Sequence, residues 1–310
     1  MLLRFNNLIN HSKIFLAMTG LRTTEFISLL KEVRPLLLAA QHSRLERPQR
    51  KRKVGAGHPF ALTPTDQILL TVIWLRVYPT HLVLAYLFGV NEATVSRTIA
   101  RVLPVLESNG HDKMRLSDPG RKRRRQLDDL LKDTPELAVV IDSFEQKVQR
   151  PRERGEADTY YSGKKKQHTL KTQIAVTQET GEIVDISHSV KGPTADLKLL
   201  KESGLLGRLP SGVGGIGDLA YVGIDKLLPK GLGATGRKKK RGQPRSEEDK
   251  EYNGAFARRR IIVENSIAKL RNYKSITNPD RNHRQMHQAR TVAVAGLVNH
   301  QIRSRLLLAA

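Results

Sequence analysis

Two short apolar runs in this chain each end in an aspartate, and they constrain the fold more than any other feature. Leu137-Ala138-Val139-Val140-Ile141 leads into Asp142, and the Gly-rich run Val213-Gly214-Gly215-Ile216-Gly217 leads into Asp218. The first is a continuous apolar run of strand length and reads as a buried strand; the second reads as a short strand ending in an acid. His168–Thr177 and Glu182–Val190 supply further strands, joined by the turn Glu179-Thr180-Gly181. Pro193–Ser203 reads as a helix. A long helix opens near Ser246, where Ser246 and Asp249 resemble a capping box, and runs toward Tyr273. Met286–Leu308 reads as a last helix. The order β-β-β-α-β-α predicts a mixed α/β domain, with three antiparallel-type neighbours first and one later strand.

The segment before this domain is helical. Thr63 or Thr65 caps a helix with Ile68, Leu69, Val72, Ile73 and Leu75 on its apolar face, and Pro64 suits its first turn. Thr80 starts a second helix through Phe88, Gly89-Val90-Asn91 makes a tight turn, and a third helix runs from Ala93 to Leu106. This is the pattern of a helix-turn-helix, although an ordinary helical hairpin has the same texture. As a helix-turn-helix it presents Glu92, Thr94, Ser96 and Arg97 outward and turns Val95 and Ile99 inward. Trp74 is expected in the core.

Charge points to a partner. Lys and Arg total 54 against 30 Asp and Glu, a formal net charge of +24. An excess of this size favours a polyanion, and nucleic acid is the commonest one. Three basic runs, Gln49–Lys53, Arg121–Arg125 and Arg237–Arg241, favour phosphate contact over merely solvated faces. The last run, flanked by Gly231, Gly233, Gly236, Gly242 and Pro244, is expected to be a poorly ordered loop beside the active site. The chain has no cysteine, which excludes disulfides and thiolate zinc sites and suits a reducing compartment. No stretch approaches the roughly 18 apolar residues that span a bilayer, so no membrane partner is expected. Met1–Gly20 lacks a convincing cleavage site and is expected to belong to the mature protein.

The acids suggest chemistry. Asp142 and Asp218 end apolar strands, and Glu264 lies on a helix between Ile261-Ile262-Val263 and Ile267. A carboxylate among buried groups is costly unless its charge is compensated. A hard divalent cation such as Mg²⁺ does this. Two such ions, about 4 Å apart, activate a water or a 3′-hydroxyl and stabilise the leaving oxygen of a phosphodiester. Taken singly, each acid has an ordinary explanation: a helix Glu is usually at the surface, and a strand-end Asp usually caps a turn.

Five ordered blocks carry a more specific resemblance. They are Val140-Ile141-Asp142-Ser143-Phe144-Glu145 with Val148-Gln149-Arg150-Pro151; Tyr161-Ser162-Gly163 through Lys171; Gly192-Pro193-Thr194-Ala195-Asp196; Gly217-Asp218-Leu219-Ala220-Tyr221-Val222-Gly223; and Arg260-Ile261-Ile262-Val263-Glu264-Asn265 with Lys269 and Arg271. In this order they resemble the blocks of DDE transposases of the insertion-sequence-five group, related to the Harbinger transposases. The likeness extends from about Phe15 to Ile276. It departs from the pattern at Ala195, Ala220, Ala257 and Arg271, none of which is a metal ligand.

The resemblance implies a ribonuclease H-like mixed-sheet catalytic domain preceded by an all-helical helix-turn-helix domain. It makes Asp142, Asp218 and Glu264 the catalytic and metal-binding triad, with Mg²⁺ or Mn²⁺, as two ions, as cofactor. It implies a cut-and-paste transposase acting on double-stranded DNA, as a homodimer or larger assembly, in a bacterial cytoplasm at the nucleoid. Thr94, Ser96, Arg97, Lys164, Lys165, Lys166, Arg260, Lys269 and Arg271 are the expected DNA contacts. Asp196 is a candidate fourth ligand or a helix cap, and His168 a structural residue or a phosphate contact. The expected divisions are an N-terminal helical and basic segment at 1–60, the helix-turn-helix domain at 61–115, a basic linker at 116–135, the catalytic domain at 136–280, and a C-terminal helix packing on it at 281–310. A domesticated DNA-binding protein or nuclease, and a regulator whose acids are structural, are the rival functions.

Overall fold

A computed structural model describes residues 3–46, 59–114, 138–209, 213–228, 233–239, 241–282 and 284–309. The basic runs Gln49–Lys53 and Arg121–Arg125, and the expected linker at 116–135, lie outside these residues. The chain divides into two units. The first comprises 1–113, 270–278 and 285–310, and the second 114–269 and 279–284.

The first unit is all-helical. Helices α1 (Phe5–Leu8), α2 (Ser12–Thr19) and α3 (Thr23–Leu45) precede α4 (Pro64–Val77), α5 (His81–Phe88) and α6 (Glu92–Asp112). Thr63, Thr80 and Asn91 each accept a backbone N–H at the start of α4, α5 and α6, which satisfies donors the helix cannot pair internally. Tyr78 and Gly89 end α4 and α5 in the left-handed conformation. Every residue of α4 from Asp66 to Leu75 is buried, so the apolar stripe of the sequence is one side of a helix enclosed all round. On α6, Val95, Thr98, Ile99, Val102, Leu103, Val105 and Leu106 are buried, the three-four spacing of a single inward face.

The last helix corrects an expectation. The sequence places it on the catalytic domain; the structure places it in the first unit, with the segment 270–278 that was also assigned to that domain. Val292–Ala295, Leu297, Val298 and Ile302 of this helix are buried. Where it meets α6, a Cβ on Gly110 would lie 3.0 Å from the Val292 carbonyl oxygen and 3.1 Å from the Gly296 Cα. Two glycines thus let two helix backbones touch. The last helix packs against α6 and α3 within this unit.

The second unit is built on one seven-stranded sheet. Its strands are β1 (Ala138–Lys147), β2 (Tyr161–Ser162), β3 (Gln167–Thr177), β4 (Ile183–Ile186), β5 (Val190–Lys191), β6 (Gly214–Gly217) and β7 (Gly233–Thr235). Strand β3 pairs antiparallel with β1, β4 and β5, while β6 pairs parallel with β1 and β7 parallel with β6. Three antiparallel strands extended by two parallel ones, in the order β4-β3-β1-β6-β7, form the mixed sheet of a ribonuclease H-like domain. Helices α7 (Arg154–Tyr160), α8 (Asp196–Glu202), α9 (Leu205–Arg208) and α10 (Glu247–Arg271) accompany it; short α11 (Lys274–Thr277) and the last helix, α12 (Met286–Ala309), belong to the first unit.

Side chains alternate across a strand, and this sorts the two faces. Val139, Ile141 and Ala175 pack with Leu200, Leu205, Tyr221 and Ile224 on one face. Ile216 packs with Phe256, Ala234 and Tyr252 on the other, which is the face covered by α10. Helix α8 begins at Asp196, not Pro193, because Gly192-Pro193-Thr194 is spent in a turn that bonds back to Thr169 and Lys191.

Candidate active site

Register brings the two aspartates together. Ile141 of β1 lies opposite Gly217 of the parallel neighbour β6, so Asp142 and Asp218 follow at the same end of adjacent strands, about 4.8 Å apart in backbone. Val140 and Ile216 are also partners, and two residues on from each comes the acid. Both acids therefore project toward α10. Asp218 is fixed by accepting the Ala220 N–H at 2.8 Å. A Cβ on Gly217 would stand 2.6 Å from the Tyr221 side chain, so only glycine lets that ring pack beneath the strand end. The ring's hydroxyl accepts from Gln173 at 2.9 Å, and burial pushes its pKa well up.

Helix α10 supplies the third acid. Glu264 and Arg260 are one turn apart on it, the spacing at which helical side chains meet. The Arg260 guanidinium lies 3.3 Å from Asp142 Oδ2 and 3.3 Å from Glu264 Oε1, a single cation between two of the three acids. Its Nε is buried without a hydrogen-bond partner. Asp142 also accepts the Ser143 N–H at 2.8 Å. Burial raises the pKa of Asp142 above its ordinary value; the Ser143 N–H and Arg260 pull it back, and Asp218 and Asp196 push it further up. The Glu264 side chain is 56% exposed, the open side of the site.

Asp196 does not cap its helix. The cap position of α8 is Ala195, with no side-chain cap. The Asp196 carboxylate instead accepts from the Ser143 hydroxyl at 2.6 Å and pairs with Lys171 at 3.1 Å. Ser143 faces away from Asp142, so Asp196 lies behind the strand, on the face opposite Glu264. Lys171 also donates to the Thr194 carbonyl at 2.6 Å.

The expected DNA contacts fall in several places. Arg260 is in the acid cluster. Lys164, Lys165 and Lys166 are exposed on the turn between β2 and β3. Ile174 lies opposite Asp142, eight residues beyond Lys166, or roughly 25 Å along the strand at about 3.3 Å per residue. These lysines are therefore remote from the acids. His168 packs edge-on against Tyr161 at 5.6 Å. Lys269 belongs to the second unit and exposed Arg271 to the first. On α6, Ser96 and Arg97 are exposed and Thr94 is half-buried.

The basic run after β7 is less free than its composition suggests. Arg237 pairs with Glu248 at 2.8 Å and Asp249 at 3.1 Å, and lies over the Tyr252 ring at 4.4 Å. Asn253 bonds both its backbone N–H and its carbonyl. Lys238, Lys239 and Arg241 remain exposed.

Residues 141–299 match the family of DDE superfamily endonucleases, and residues 60–111 match the helix-turn-helix of the same superfamily. The chain is 31% identical over 252 residues to the probable transposase for insertion sequence element IS702 of Microchaete diplosiphon, covering 81% of this chain and 86% of that protein. Among solved structures it is similar to the piggyBac transposase in a synaptic complex with hairpin DNA, with a TM-score of 0.45 and 11% identity, over 95% of this chain and 75% of that one. The chain belongs to the DDE superfamily of endonucleases and is a DNA transposase by class, with a helix-turn-helix ahead of its nuclease domain. None of its described helices is long and apolar enough to cross a membrane.

Proposed function

We propose that this transposase cuts DNA at the ends of an insertion element and joins the freed ends to a target, with Asp142, Asp218 and Glu264 as its catalytic carboxylates. The observation that carries the reading is that two aspartates end adjacent strands and Arg260 links one of them, Asp142, to Glu264 of α10. Hydrolysis would place a water oxygen on phosphorus and release a 3′-hydroxyl. Strand transfer would place that 3′ oxygen on a target phosphorus, breaking its bond to the target's own 3′ oxygen, which leaves as a 3′-hydroxyl.

The residues suit a divalent cation in charge and donor type. All three are hard oxygen ligands, and one is kept above its ordinary pKa by burial and neighbouring aspartates. As the side chains stand, no three acidic or histidine side chains among the described residues are gathered closely enough to hold a metal ion, and the Arg260 guanidinium is the cation between Asp142 and Glu264. Asp142, Asp218 and Glu264 would hold Mg²⁺ or Mn²⁺, as two ions, once Arg260 turns outward. Bound there, the ions would supply Lewis-acid activation of the attacking and leaving oxygens.

The chain's own residues do the rest. Arg260, released from the acids, would pair with a phosphate of the cut strand. Asp196, Ser143 and Lys171 would hold β1 from behind, and Tyr221 would hold Asp218 in position. Thr94 and Ser96 would meet the element end in the major groove. Lys164–Lys166, Lys269 and Arg271 would meet phosphates, the first three well away from the cut. Two or more copies would pair the ends, in a bacterial cytoplasm at the nucleoid.

The test is nicking of a supercoiled plasmid that carries this coding region with its flanking DNA. Mg²⁺ should be required, and Asp142→Ala, Asp218→Ala and Glu264→Ala should each abolish cleavage while leaving DNA binding largely intact. Near-normal nicking by any one of them would remove that residue from the triad.

A further inference from the structure

Arg97 and Arg101 stand one turn apart on α6, so their side chains share a face. Arg44 comes from the last turn of α3, in the same unit. The Arg101 guanidinium lies over the Phe60 ring at 4.2 Å, and its Nη2 donates to the Thr98 hydroxyl at 3.3 Å. Its Nε is buried with no hydrogen-bond partner. None of the three arginines has an acidic partner among the described residues. Burial lowers the pKa of Arg101, and the charges of Arg44 and then Arg97 lower it further.

Elsewhere in the molecule, arginines with an acid in reach are paired. Arg208 meets Asp185 at 2.7 Å, Arg237 meets Glu248 at 2.8 Å, and Arg284 meets Glu156 at 2.6 Å. Arg97 and Arg101 on one helix face, with the charge of Arg44 also felt at Arg101 and no acid among the described residues paired with any of them, work against the fold, since like charges repel. Phe60 and Thr98 nonetheless hold Arg101 in place. What relieves such a cluster is an external anion, and the guanidinium fork matches the oxygens of a phosphate. Ser96, exposed beside Arg97, lies in the N-terminal part of the helix.

We propose that Arg44, Arg97 and Arg101 form a phosphate clamp that seats the recognition helix on the DNA backbone. The ligand is a phosphodiester of duplex DNA, one or two phosphates at the edge of the groove. Arg97 is then a backbone contact and not the reader of guanine that its place on the helix suggests. Arg44 lies outside the matched helix-turn-helix at 60–111, so the DNA-binding surface extends onto α3. This rests on the reading of the protein as one that binds element ends.

The test uses the full chain and a mixed-sequence 30-base-pair duplex, with affinity measured by anisotropy across a NaCl series. In the triple variant Arg44→Ala/Arg97→Ala/Arg101→Ala, the slope of log affinity against log salt should flatten by about 1–2 units, at about 0.9 per phosphate contact. Arg44→Ala alone, at an exposed position, should flatten it in the same direction without touching the core. Arg101→Lys, which keeps the charge, should leave the slope nearly unchanged. Affinity should fall by the same factor on the duplex from the element's end, because phosphate contacts carry no sequence information. Superimposable slopes for the wild type, Arg44→Ala and the triple variant would overturn the clamp. So would a loss confined to the element-end duplex, which would make Arg97 a base reader. Thermal stabilisation of the wild type, but not the triple variant, by 10 mM inorganic phosphate with no change in the DNA slope would make this a small-anion site and also overturn it. A wild type that fails to bind any duplex would overturn the underlying reading as well, whereas unchanged slopes with intact binding would sink the clamp alone.

Discussion

Arg260 and Arg101 occupy similar positions in different surroundings. Each is partly buried, and each has a buried Nε with no hydrogen-bond partner. Arg260 sits between acids, with Asp142 and Glu264 each 3.3 Å away. Arg101 sits among cations, with Arg44 and Arg97 close enough to depress its pKa. The sign of the surrounding charge says which partner each site awaits. The acid cluster is suited to cations stronger than one guanidinium, and the arginine cluster to an anion. On the proposed reading, catalysis and docking are two electrostatic problems of opposite sign, each within its own unit.

The largest expected effect sharpens the acid side of this contrast. Gly217→Ala should drive Tyr221 aside and shift Asp218, because the added Cβ would lie 2.6 Å from that side chain. Cleavage in the plasmid assay should fall about 100-fold, the scale of an ångström's misplacement, while the salt dependence of DNA binding stays unchanged. Normal cleavage would mean that Asp218 does not need the ring beneath it. Next in size is Arg260→Ala. Removing the cation between Asp142 and Glu264 should tighten Mn²⁺ binding in the absence of DNA by about tenfold, a modest share of the Coulomb energy at an effective dielectric near 20. Weaker Mn²⁺ binding in a titration would show Arg260 to be a partner of the ions and not their competitor.

A third change asks whether the units carry their tasks separately. Gly110→Ala sets a methyl 3.0 Å from the Val292 carbonyl oxygen and 3.1 Å from the Gly296 Cα, backbone atoms that cannot swing away. It should cost about 1–3 kcal/mol, the range for overpacking. Trp74, the single tryptophan of the chain, lies in this unit, so its fluorescence during urea unfolding reports the loss. An unchanged midpoint would contradict the close helix crossing.

The smallest effect concerns pH. The folded-state pKa of Asp142 is raised above its ordinary 3.8. Folding therefore favours its protonated form, and the stability that protonation gives is full below the ordinary value and lost as pH rises through the raised one. Asp142→Asn has no charge to bury. In EDTA it should melt on the order of a few degrees above the wild type at pH 7, with the gap closing toward pH 3. A gap independent of pH would remove the burial of charge as its cause.

Much of the second unit was legible in the sequence, because strand-end acids announce themselves by where apolar runs stop. Asp142 and Asp218 needed only strand alternation and a parallel register to meet. Glu264 needed the family blocks as well, since a helix glutamate between isoleucines is equally a surface residue. Other features required tertiary structure. Met286–Ala309 is apolar on several sides, so periodicity could not say which unit it serves. The stripe on α4 hid a helix buried all round. Asp196 looked like a cap because it opens a helix, but its charge is taken by Ser143 and Lys171 across the sheet. Arg237 looked mobile within a basic run, but acids on the first turn of α10 anchor it.

On the proposed reading, Asp142, Asp218 and Glu264 form one cation site. The most direct measurement is a Mn²⁺ titration of the full chain bound to a mixed-sequence duplex, with free Mn²⁺ followed by electron paramagnetic resonance. The wild type should bind Mn²⁺ saturably, and Asp142→Ala, Asp218→Ala and Glu264→Ala should each weaken or abolish that binding while the duplex stays bound. Binding curves for the three variants that match the wild type would contradict a cation site shared by these acids.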